Sequence, residues 1–178
     1  MGLPAGKDIL GYLAEQPPLE QERLHKIIAD VEEEGRRNLE LQDGCLELLA
    51  TLKANKFPFA LITRNNPAAV EAFMALCRRR SEGELPHFHP VITRDDGDEF
   101  CKPKPGGMLK IIEEWQVKPE EVLVVGDHLH DVVAGRDAGC ATCLILCEEP
   151  NNHHFKPEAD LFISSLRELE TLSFDITR

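Results

Sequence analysis

The sequence predicts an α/β fold in which a parallel sheet is covered by helices on both faces. From residue 57 onward, short apolar runs alternate with segments of helical periodicity, and this alternation is typical of a parallel sheet. The uninterrupted apolar run at residues 122–125 indicates a strand that is buried on both faces. A chain of 178 residues is long enough for one domain with a real core, or for a core with a small appendage.

The amino-terminal part, residues 1–40, is predicted to be helical and is rich in acidic residues. Pro17-Pro18 marks a break before the main helix and Gly35 a stop after it. Apolar residues recur at the spacing of one helix face, namely Leu24, Ile27, Ile28 and Val31. We therefore separate residues 1–40 from an α/β domain at 41–178.

The α/β domain begins with a predicted helix at residues 45–54, preceded by a turn at Asp43-Gly44. A strand at residues 57–62 ends at Thr63, and Asn66-Pro67 starts a helix that runs to about Arg80. Gly139 closes a later helix as its carboxyl-terminal cap, and residues 148–158 are the best loop candidate. The remaining predicted elements are a strand at 91–93, a helix at 107–115, strands at 122–125, 141–147 and 161–163, and helices at 130–138 and 166–172.

Charge and composition exclude several kinds of partner. With 20 Lys+Arg against 32 Asp+Glu, the net charge of −12 argues against nucleic acid and against an anionic membrane surface. Small phosphorylated molecules remain possible, because a local cation outweighs a distant net charge. The apolar runs are too short to cross a bilayer, and residues 1–6 lack the pattern of a secretory signal. We expect a cytoplasmic location.

Six scattered cysteines are predicted to be buried, reduced thiols rather than a redox or metal centre. Cys140 and Cys143 have a Cys-x-x-Cys spacing, but they lie at the start of a predicted strand. Alternation along that strand would point their sulfurs to opposite faces. The other cysteines are Cys45, Cys77, Cys101 and Cys147.

Two polar segments follow predicted strands and could bind phosphate. In Thr63-Arg64-Asn65-Asn66, a hydroxyl and backbone N–H groups at a helix start can cradle a phosphate, although the segment taken alone favours an ordinary helix cap. In Lys102-Pro103-Lys104-Pro105, the prolines hold a lysine clear of the following helix. Such a lysine can supply a point charge to a phosphoryl group, or it can belong to a solvated basic turn.

A third polar segment follows the apolar run at 122–125 and contains Asp127 and Asp131. Ligands of open α/β sheets bind beyond the carboxyl ends of the strands, and two carboxylates there can hold Mg²⁺. The alternative is that Asp127 ends the strand and Asp131 caps the next helix. His128 and His130 are interpreted as exposed loop residues rather than proton-transfer groups.

In this order the three segments resemble motifs two, three and four of the haloacid dehalogenase superfamily, in its phosphoglycolate-phosphatase-like branch. The second motif is an apolar strand ending in Thr or Ser, here Thr63, and the third is Lys-Pro-x-Pro, here beginning at Lys102. The fourth is Gly-Asp-x-x-x-Asp after a strand, here Gly126 to Asp131, followed by a helix that ends in Ala138-Gly139. The resemblance covers roughly residues 40–170 and implies a Rossmann-like core.

The resemblance implies Mg²⁺-dependent hydrolysis of a small phosphorylated metabolite through a phospho-aspartate. Thr63, with Arg64 and Asn65, would bind phosphoryl oxygens, and Lys102 would neutralise charge as a catalytic residue. Asp127 and Asp131 would form the metal site, with Asp131 assisting through water or orienting the lysine. Dehalogenation of carbon uses the same nucleophile without Mg²⁺, but the Gly-Asp-x-x-x-Asp pattern favours phosphate.

The family's first motif, Asp-x-Asp-x-Thr/Val on an amino-terminal strand, is not found in this sequence. Asp8, Asp30 and Asp43 have no second Asp two positions later. Asp96-Gly97-Asp98 has the spacing but follows motif two, so we interpret it as a solvated acidic turn.

The resemblance then implies that residues 1–40 are the remaining part of a helical cap and that the central strand of the sheet is missing. Either the flanking strands close up or the chain is a shortened form of a longer protein, which we expect to be inactive. The alternatives are a non-catalytic binding or regulatory module on a degenerate version of this fold, and an unrelated receiver-type or nucleotide-binding domain. No glycine-rich phosphate loop supports the latter.

Overall fold

The computed structural model describes residues 12–13, 15–81, 83, 87–148 and 151–170. The chain divides into two compact units, Met1–Leu39 and Glu40–Arg178. Asp8 and the predicted end of the last helix at residue 172 lie outside the described residues. Assignment of the first unit to a cap stays a prediction.

The first unit contains helix α1, Pro18–Arg37, with Pro17 at its N-cap and Pro18 at the first helical position. The helix continues past Gly35, so the predicted stop there is wrong. One glycine inside a helix costs only about 1 kcal/mol, and the last turn carries ion pairs from Glu33 to arginines three and four residues later. None of the α1 side chains is buried.

The second unit alternates strands and helices, which confirms the predicted α/β class. Its helices and strands are α2 Cys45–Ala54, β1 Leu61–Ile62, α3 Pro67–Arg80, β2 Val91–Ile92, α4 Gly106–Trp115, β3 Leu123–Gly126, α5 Leu129–Asp137, β4 Ala141–Ile145, β5 Leu161–Ile163 and α6 Arg167–Glu170. Short 3₁₀ helices were not predicted; one of them, His153–Glu158, lies within the predicted loop at 148–158.

The strands form two parallel sheets, one with the order β1-β2 and the other with the order β3-β4-β5. β1 has two residues where the sequence predicts a strand of six, because β1 is regular only where β2 lies beside it. At that point the Leu61 amide donates to Pro90 O at 3.1 Å and the Thr63 amide to Ile92 O at 2.9 Å.

β1 and β3 are the strands expected to flank the missing central strand, and they belong to different sheets. The first of the two alternatives, that these strands close up on each other, is therefore wrong for the described residues.

Two apolar clusters form the core of the second unit. In the first, Met108 of α4 packs with Val124 of β3 and with Ala134 of α5. In the second, Cys143 of β4 packs with Ile163 of β5 and a leucine of α6. Layers of helix thus cover the sheet that ends at the candidate site.

Two of the six cysteines belong to the apolar clusters. Cys140 belongs to the first cluster and Cys143 to the second, which confirms that alternation sends them to opposite faces. All six thiols are free, and burial raises the pKa of Cys143 to about 11. The prediction of burial is right for Cys77, Cys140 and Cys143, whereas the other three are only half-buried.

Candidate active site

Thr63 follows β1 at the carboxyl edge of its sheet and shapes the loop behind it. Its hydroxyl accepts a hydrogen bond from the Asn65 amide at 3.0 Å, which folds the loop into a turn. Asn66 supplies the helix cap, because its side chain accepts from the Ala69 amide at 2.9 Å. Asn66 therefore caps α3. The cap is preceded in the chain by Thr63, Arg64 and Asn65.

Lys102 extends from the loop before α4 to the end of β1. Its ammonium group donates to the carbonyl oxygen of Ile62 at 3.1 Å and forms an ion pair with Asp131. Both side chains are largely buried, with 15% of Lys102 and 9% of Asp131 exposed. Lys104, the other lysine of the segment, instead pairs with Asp98 at the surface.

Asp131 has two roles at the start of α5. One carboxylate oxygen pairs with Lys102, and the other accepts from the His128 amide at 3.0 Å, as a residue in the first turn of a helix commonly does. Gly126 makes room for this side chain, since a Cβ at Gly126 would lie 2.3 Å from the carboxyl carbon of Asp131. The interpretation of Asp131 as a helix cap is thus confirmed, and the pairing with Lys102 is added to it.

Asp127 differs from Asp131 in exposure and in partners. Within the described part of the chain, its side chain is exposed and makes neither a hydrogen bond nor an ion pair. Its backbone oxygen accepts from the side-chain amide of Asn152 at 2.7 Å. The Asp127 carboxylate is therefore open to a ligand, whereas the Asp131 carboxylate already has partners on both oxygens.

Asn152 was not identified from the sequence, although it fixes the loop after β4 against the site. It is buried, donates to the backbone oxygens of Asp127 and Ile145 at 2.7 Å each, and accepts from the Cys147 amide at 2.8 Å. A lone asparagine in a predicted loop gives no signal that could have revealed this position.

The two histidines near Asp131 are not equivalent. His128 is exposed and caps α5, with its Nδ1 accepting from the His130 amide at 3.1 Å. His130 is half-buried in the first turn of α5, so its interpretation as an exposed loop residue is wrong. Its Nδ1 lies 3.0 Å from Nη1 of Arg64, and this contact links the loop after β1 to α5.

Asp96 and Asp98, the pair with the alternative Asp-x-Asp spacing, have local partners. Asp96 accepts from the Thr93 amide at 2.7 Å and from the Thr93 hydroxyl at 2.8 Å, and these bonds lower its carboxyl pKa. Asp96 is nevertheless exposed, so the interpretation as a solvated acidic turn fits it. The same interpretation fits Asp98, whose side chain is 88% exposed.

The loop after β1 and the start of α5 are thus joined by two contacts, one from the buried Lys102 ammonium to Ile62 O and Asp131, and one from the Arg64 guanidinium to His130. Cationic donors of this kind stabilise an anion at the carboxyl edge of the strands. The described residues contain no cluster of three or more His, Cys, Asp or Glu side chains that could hold a metal ion by themselves. In the same residues, no helix has the length and apolar character required to cross a membrane.

Comparison with known proteins relates these features to one family. The family model for haloacid dehalogenase-like hydrolases matches residues 5–139. A haloacid dehalogenase-like hydrolase domain-containing protein of Arabidopsis thaliana is 35% identical over 145 residues, which cover 80% of this chain and 55% of that protein. An uncharacterized hydrolase of Saccharomyces cerevisiae is 31% identical over 168 residues, which cover 93% of this chain and 73% of that protein.

A pyrophosphatase of Bacillus mycoides, PpaX, is 32% identical over 99 residues, which cover 56% of this chain and 43% of that protein. The chain therefore spans about half the length of the Arabidopsis and Bacillus relatives.

Solved structures share the fold at low sequence identity. A hydrolase from Pseudomonas syringae superposes with a TM-score of 0.72 at 20% identity, covering 89% of this chain and 72% of its own. A predicted phosphoglycolate phosphatase from Haemophilus somnus superposes with a TM-score of 0.68 at 19% identity, covering 87% of this chain and 67% of its own. These likenesses show a common architecture.

Proposed function

Because the chain belongs to the haloacid dehalogenase-like hydrolase family, we propose that its site is the phosphate- and metal-binding side of a phosphatase centre. The observation that carries the proposal is the buried Lys102, held between the Ile62 carbonyl and Asp131 at the carboxyl edge of β1. A lysine fixed in this way costs no reorganisation when negative charge develops near it.

The residues around Lys102 are assigned to the phosphoryl group. The Thr63 hydroxyl and the backbone N–H groups of the turn donate to phosphoryl oxygens, with Asn65 at the exposed tip of that turn. Arg64, oriented by His130, adds a guanidinium to the same edge. Asp131 acts through Lys102, whose ammonium it holds in position.

We assign Asp127 as the Mg²⁺ ligand of this chain. Its carboxylate is exposed and unpaired among the described residues, which suits an ion that binds one or two carboxylates and keeps several waters. Bound Mg²⁺ would neutralise charge on the phosphate. The Asp131 carboxylate is better suited to orienting Lys102 or a water molecule than to binding Mg²⁺ directly, because both of its oxygens have partners.

The substrate class is proposed to be small phosphate monoesters or phosphoanhydrides. The relative named pyrophosphatase and the structural neighbour named phosphoglycolate phosphatase support this class. A cytoplasmic location remains our expectation.

We further propose that this chain binds phosphate and Mg²⁺ without turning over substrate by itself. The sequence contains no Asp-x-Asp-x-Thr/Val segment that could supply an attacking carboxylate and its acid partner. The second candidate, a non-catalytic binding module, rests on the same observation. Adding a segment that carries the missing carboxylates distinguishes the two candidates. It should restore turnover to a phosphatase centre but not to a non-catalytic binding module.

The test combines an activity assay with a binding readout. With Mg²⁺ and an aryl phosphate, no turnover above background is expected. Titration with MgCl₂, followed by NMR of backbone amides, should shift the signals of Asp127 and His128. Asp127→Asn should abolish these shifts, and the control Asp137→Asn, on the exposed side of α5, should retain them. Turnover that Asp127→Asn removes would contradict inactivity, and the absence of Mg²⁺-induced shifts would contradict the metal assignment.

A further inference from the structure

Four planar rings form a series of ring-to-ring contacts that begins beside Arg64. This series, called the aromatic row below, consists of His130, His128, Phe155 and His154. His130 is its first member, because its Nδ1 lies 3.0 Å from Nη1 of Arg64. The ring centroids of successive members are 4.3, 5.8 and 3.9 Å apart. The aromatic row therefore adjoins the guanidinium that the proposed function assigns to phosphate.

The buried Asn152 holds the Phe155 end of the aromatic row against the site. Its side-chain amide donates to the Asp127 backbone oxygen at 2.7 Å, and its own backbone oxygen accepts from the Phe155 amide at 2.9 Å. The 3₁₀ helix that carries this ring is also tied to α5 by an ion pair between Glu158 and Arg136 at 3.0 Å. The ring is thus placed before any ligand arrives, which lowers the entropy that binding costs.

Packing of the core does not account for the aromatic row. Neither apolar cluster contains any of its members in the described part of the chain. His128 and His154 are exposed, and Phe155 is only half-buried although it is the most apolar of the four. Capping of α5 explains the position of His128 and the Arg64 contact explains that of His130, but neither explains the other two rings. The row therefore leaves aromatic surface available to a ligand.

Two kinds of binding group adjoin each other at this edge. A guanidinium binds phosphoryl oxygens, and exposed rings stack on planar unsaturated groups. Stacking accepts any planar ring system, whereas the net charge of −12 disfavours a nucleic acid polymer. The combination suits a small molecule that carries a phosphate and a planar ring system.

We propose that the aromatic row binds the planar, aromatic part of a phosphate ester whose phosphoryl group lies at Arg64 and Lys102. This inference rests on the proposed function, because that function places the phosphate at these two side chains. It narrows the substrate class to phosphate monoesters of aromatic or heteroaromatic compounds. Phe155 contributes the largest apolar surface of the row, and Asn152 keeps that ring in place.

The test compares adenosine monophosphate with ribose phosphate, both carrying the phosphate on the terminal ribose carbon, so that a planar base distinguishes them. Each is titrated into the whole chain in the presence of Mg²⁺, and binding is followed by NMR of backbone amides. We expect adenosine monophosphate to bind about tenfold more tightly than ribose phosphate. Signals of His154 and Phe155 should shift with the nucleotide only, whereas those of Thr63 and Asn65 should shift with both.

Substitutions locate the stacking at the aromatic row. Phe155→Leu keeps an apolar side chain but removes the ring, so the preference for adenosine monophosphate should fall below threefold while ribose phosphate binds as before. His154→Leu, at an exposed position, should reduce the same preference without risk to the fold. The matched control Phe162→Leu removes a phenyl ring that is 53% exposed in β5, and it should retain the full preference.

The outcomes separate this inference from the function on which it rests. Failure of both phosphates to bind the wild-type chain would contradict the proposed function and this inference with it. Binding of both phosphates with equal affinity would overturn the inference alone. An unchanged preference in both Phe155→Leu and His154→Leu would also overturn it, as would nucleotide-induced shifts confined to residues outside the aromatic row and the phosphate-binding turn.

Discussion

At the scale of single residues, Asp131 and Asp127 are four positions apart and play opposite parts. Asp131 is 9% exposed and its carboxylate bonds to Lys102 and to the His128 amide. Asp127 is exposed and its carboxylate has no such partner in the described residues. Substitution of Asp131 should therefore lower stability, because its buried carboxylate supports the fold. Substitution of Asp127 should affect ligand binding, because its exposed carboxylate is available to a ligand.

Asp131→Asn should destabilise the second unit by about 2 kcal/mol, because the largely buried Lys102 would lose its charged partner. The remaining exposure of Lys102 to water limits this loss. Urea unfolding followed by fluorescence measures this loss, and the single tryptophan, Trp115 in α4, reports on the second unit. The matched control Asp127→Asn should change stability by less than about 0.5 kcal/mol. Equal losses in the two variants would contradict the different roles.

The sequence predicted these site residues by type and order, but their contacts could not be predicted from it. The segment containing Lys102 gives no sign that its ammonium reaches Ile62 O, 40 positions earlier in the chain. Likewise, the pairing of His130 with Arg64 joins residues 66 positions apart. Such contacts depend on which strand ends share an edge, and that is set by the packing of the whole unit.

At the scale of elements, helices were predicted more accurately than strands. Helix bounds are set by local signals, as at α2, where the positive φ of Gly44 precedes Cys45. Strand bounds depend on a neighbour. β1 is short because β2 accompanies it over only two residues, although its apolar run is longer.

Close packing of α5 on the sheet depends on Gly135. A Cβ there would lie 2.8 Å from the Thr142 methyl carbon and 3.0 Å from Val124 Cβ. Gly135→Ala should cost about 1–3 kcal/mol, because the helix or the strands must shift. Its unfolding is followed by Trp115 fluorescence.

The control for Gly135→Ala is Gly35→Ala in α1, where nothing lies within 4 Å of the added Cβ. That change should leave the Trp115 transition unmoved and raise the stability of α1 by about 0.5–1 kcal/mol. A neutral Gly135→Ala would show that α5 does not need this close approach.

Asp160 holds the start of β4, and we expect this contact to make the stability of the sheet depend on pH. Its carboxylate accepts from the Thr142 hydroxyl at 2.7 Å and from the Thr142 amide at 2.8 Å, and these bonds hold the pKa of Asp160 below its usual value of 3.8. A lowered folded-state pKa stabilises the fold above the unfolded pKa. This contribution is lost as pH falls through the folded pKa.

Asp160→Asn should therefore lower the urea midpoint at pH 7, and its difference from the wild type should shrink as pH falls below about 4. Thr142→Val, which removes the hydroxyl but keeps the shape, should reduce the same pH dependence. A constant difference between wild type and Asp160→Asn from pH 7 to pH 3 would show that the carboxylate charge is not involved.

At the scale of the whole molecule, composition and periodicity predicted the α/β class and the order of the elements. The resemblance of its motifs to those of the family led to the expectation of a gap between the strands that became β1 and β3. Whether these strands would close up on each other could not be predicted, because contacts such as those of Lys102 with Ile62 O and Asp131 join residues that lie far apart in the chain.

The two compact units should unfold separately on heating. Helix α1 makes up most of the described part of the first unit, and none of its side chains is buried. Most of the stability of helices in proteins comes from packing of an apolar face, and exposed ion pairs within one helix, such as Glu33 with Arg36, add little. The second unit instead has two apolar clusters that unfold cooperatively.

Helical circular dichroism should therefore decrease at lower temperature than the Trp115 fluorescence transition, which reports only on the second unit. Gly35→Ala should raise the temperature of the early circular dichroism change and leave the fluorescence midpoint in place. Gly135→Ala should lower the fluorescence midpoint and leave the early circular dichroism change in place. Superposable melting curves from the two probes, shifted together by either substitution, would show that the chain unfolds as one cooperative unit and that α1 gains its stability from the rest of the molecule.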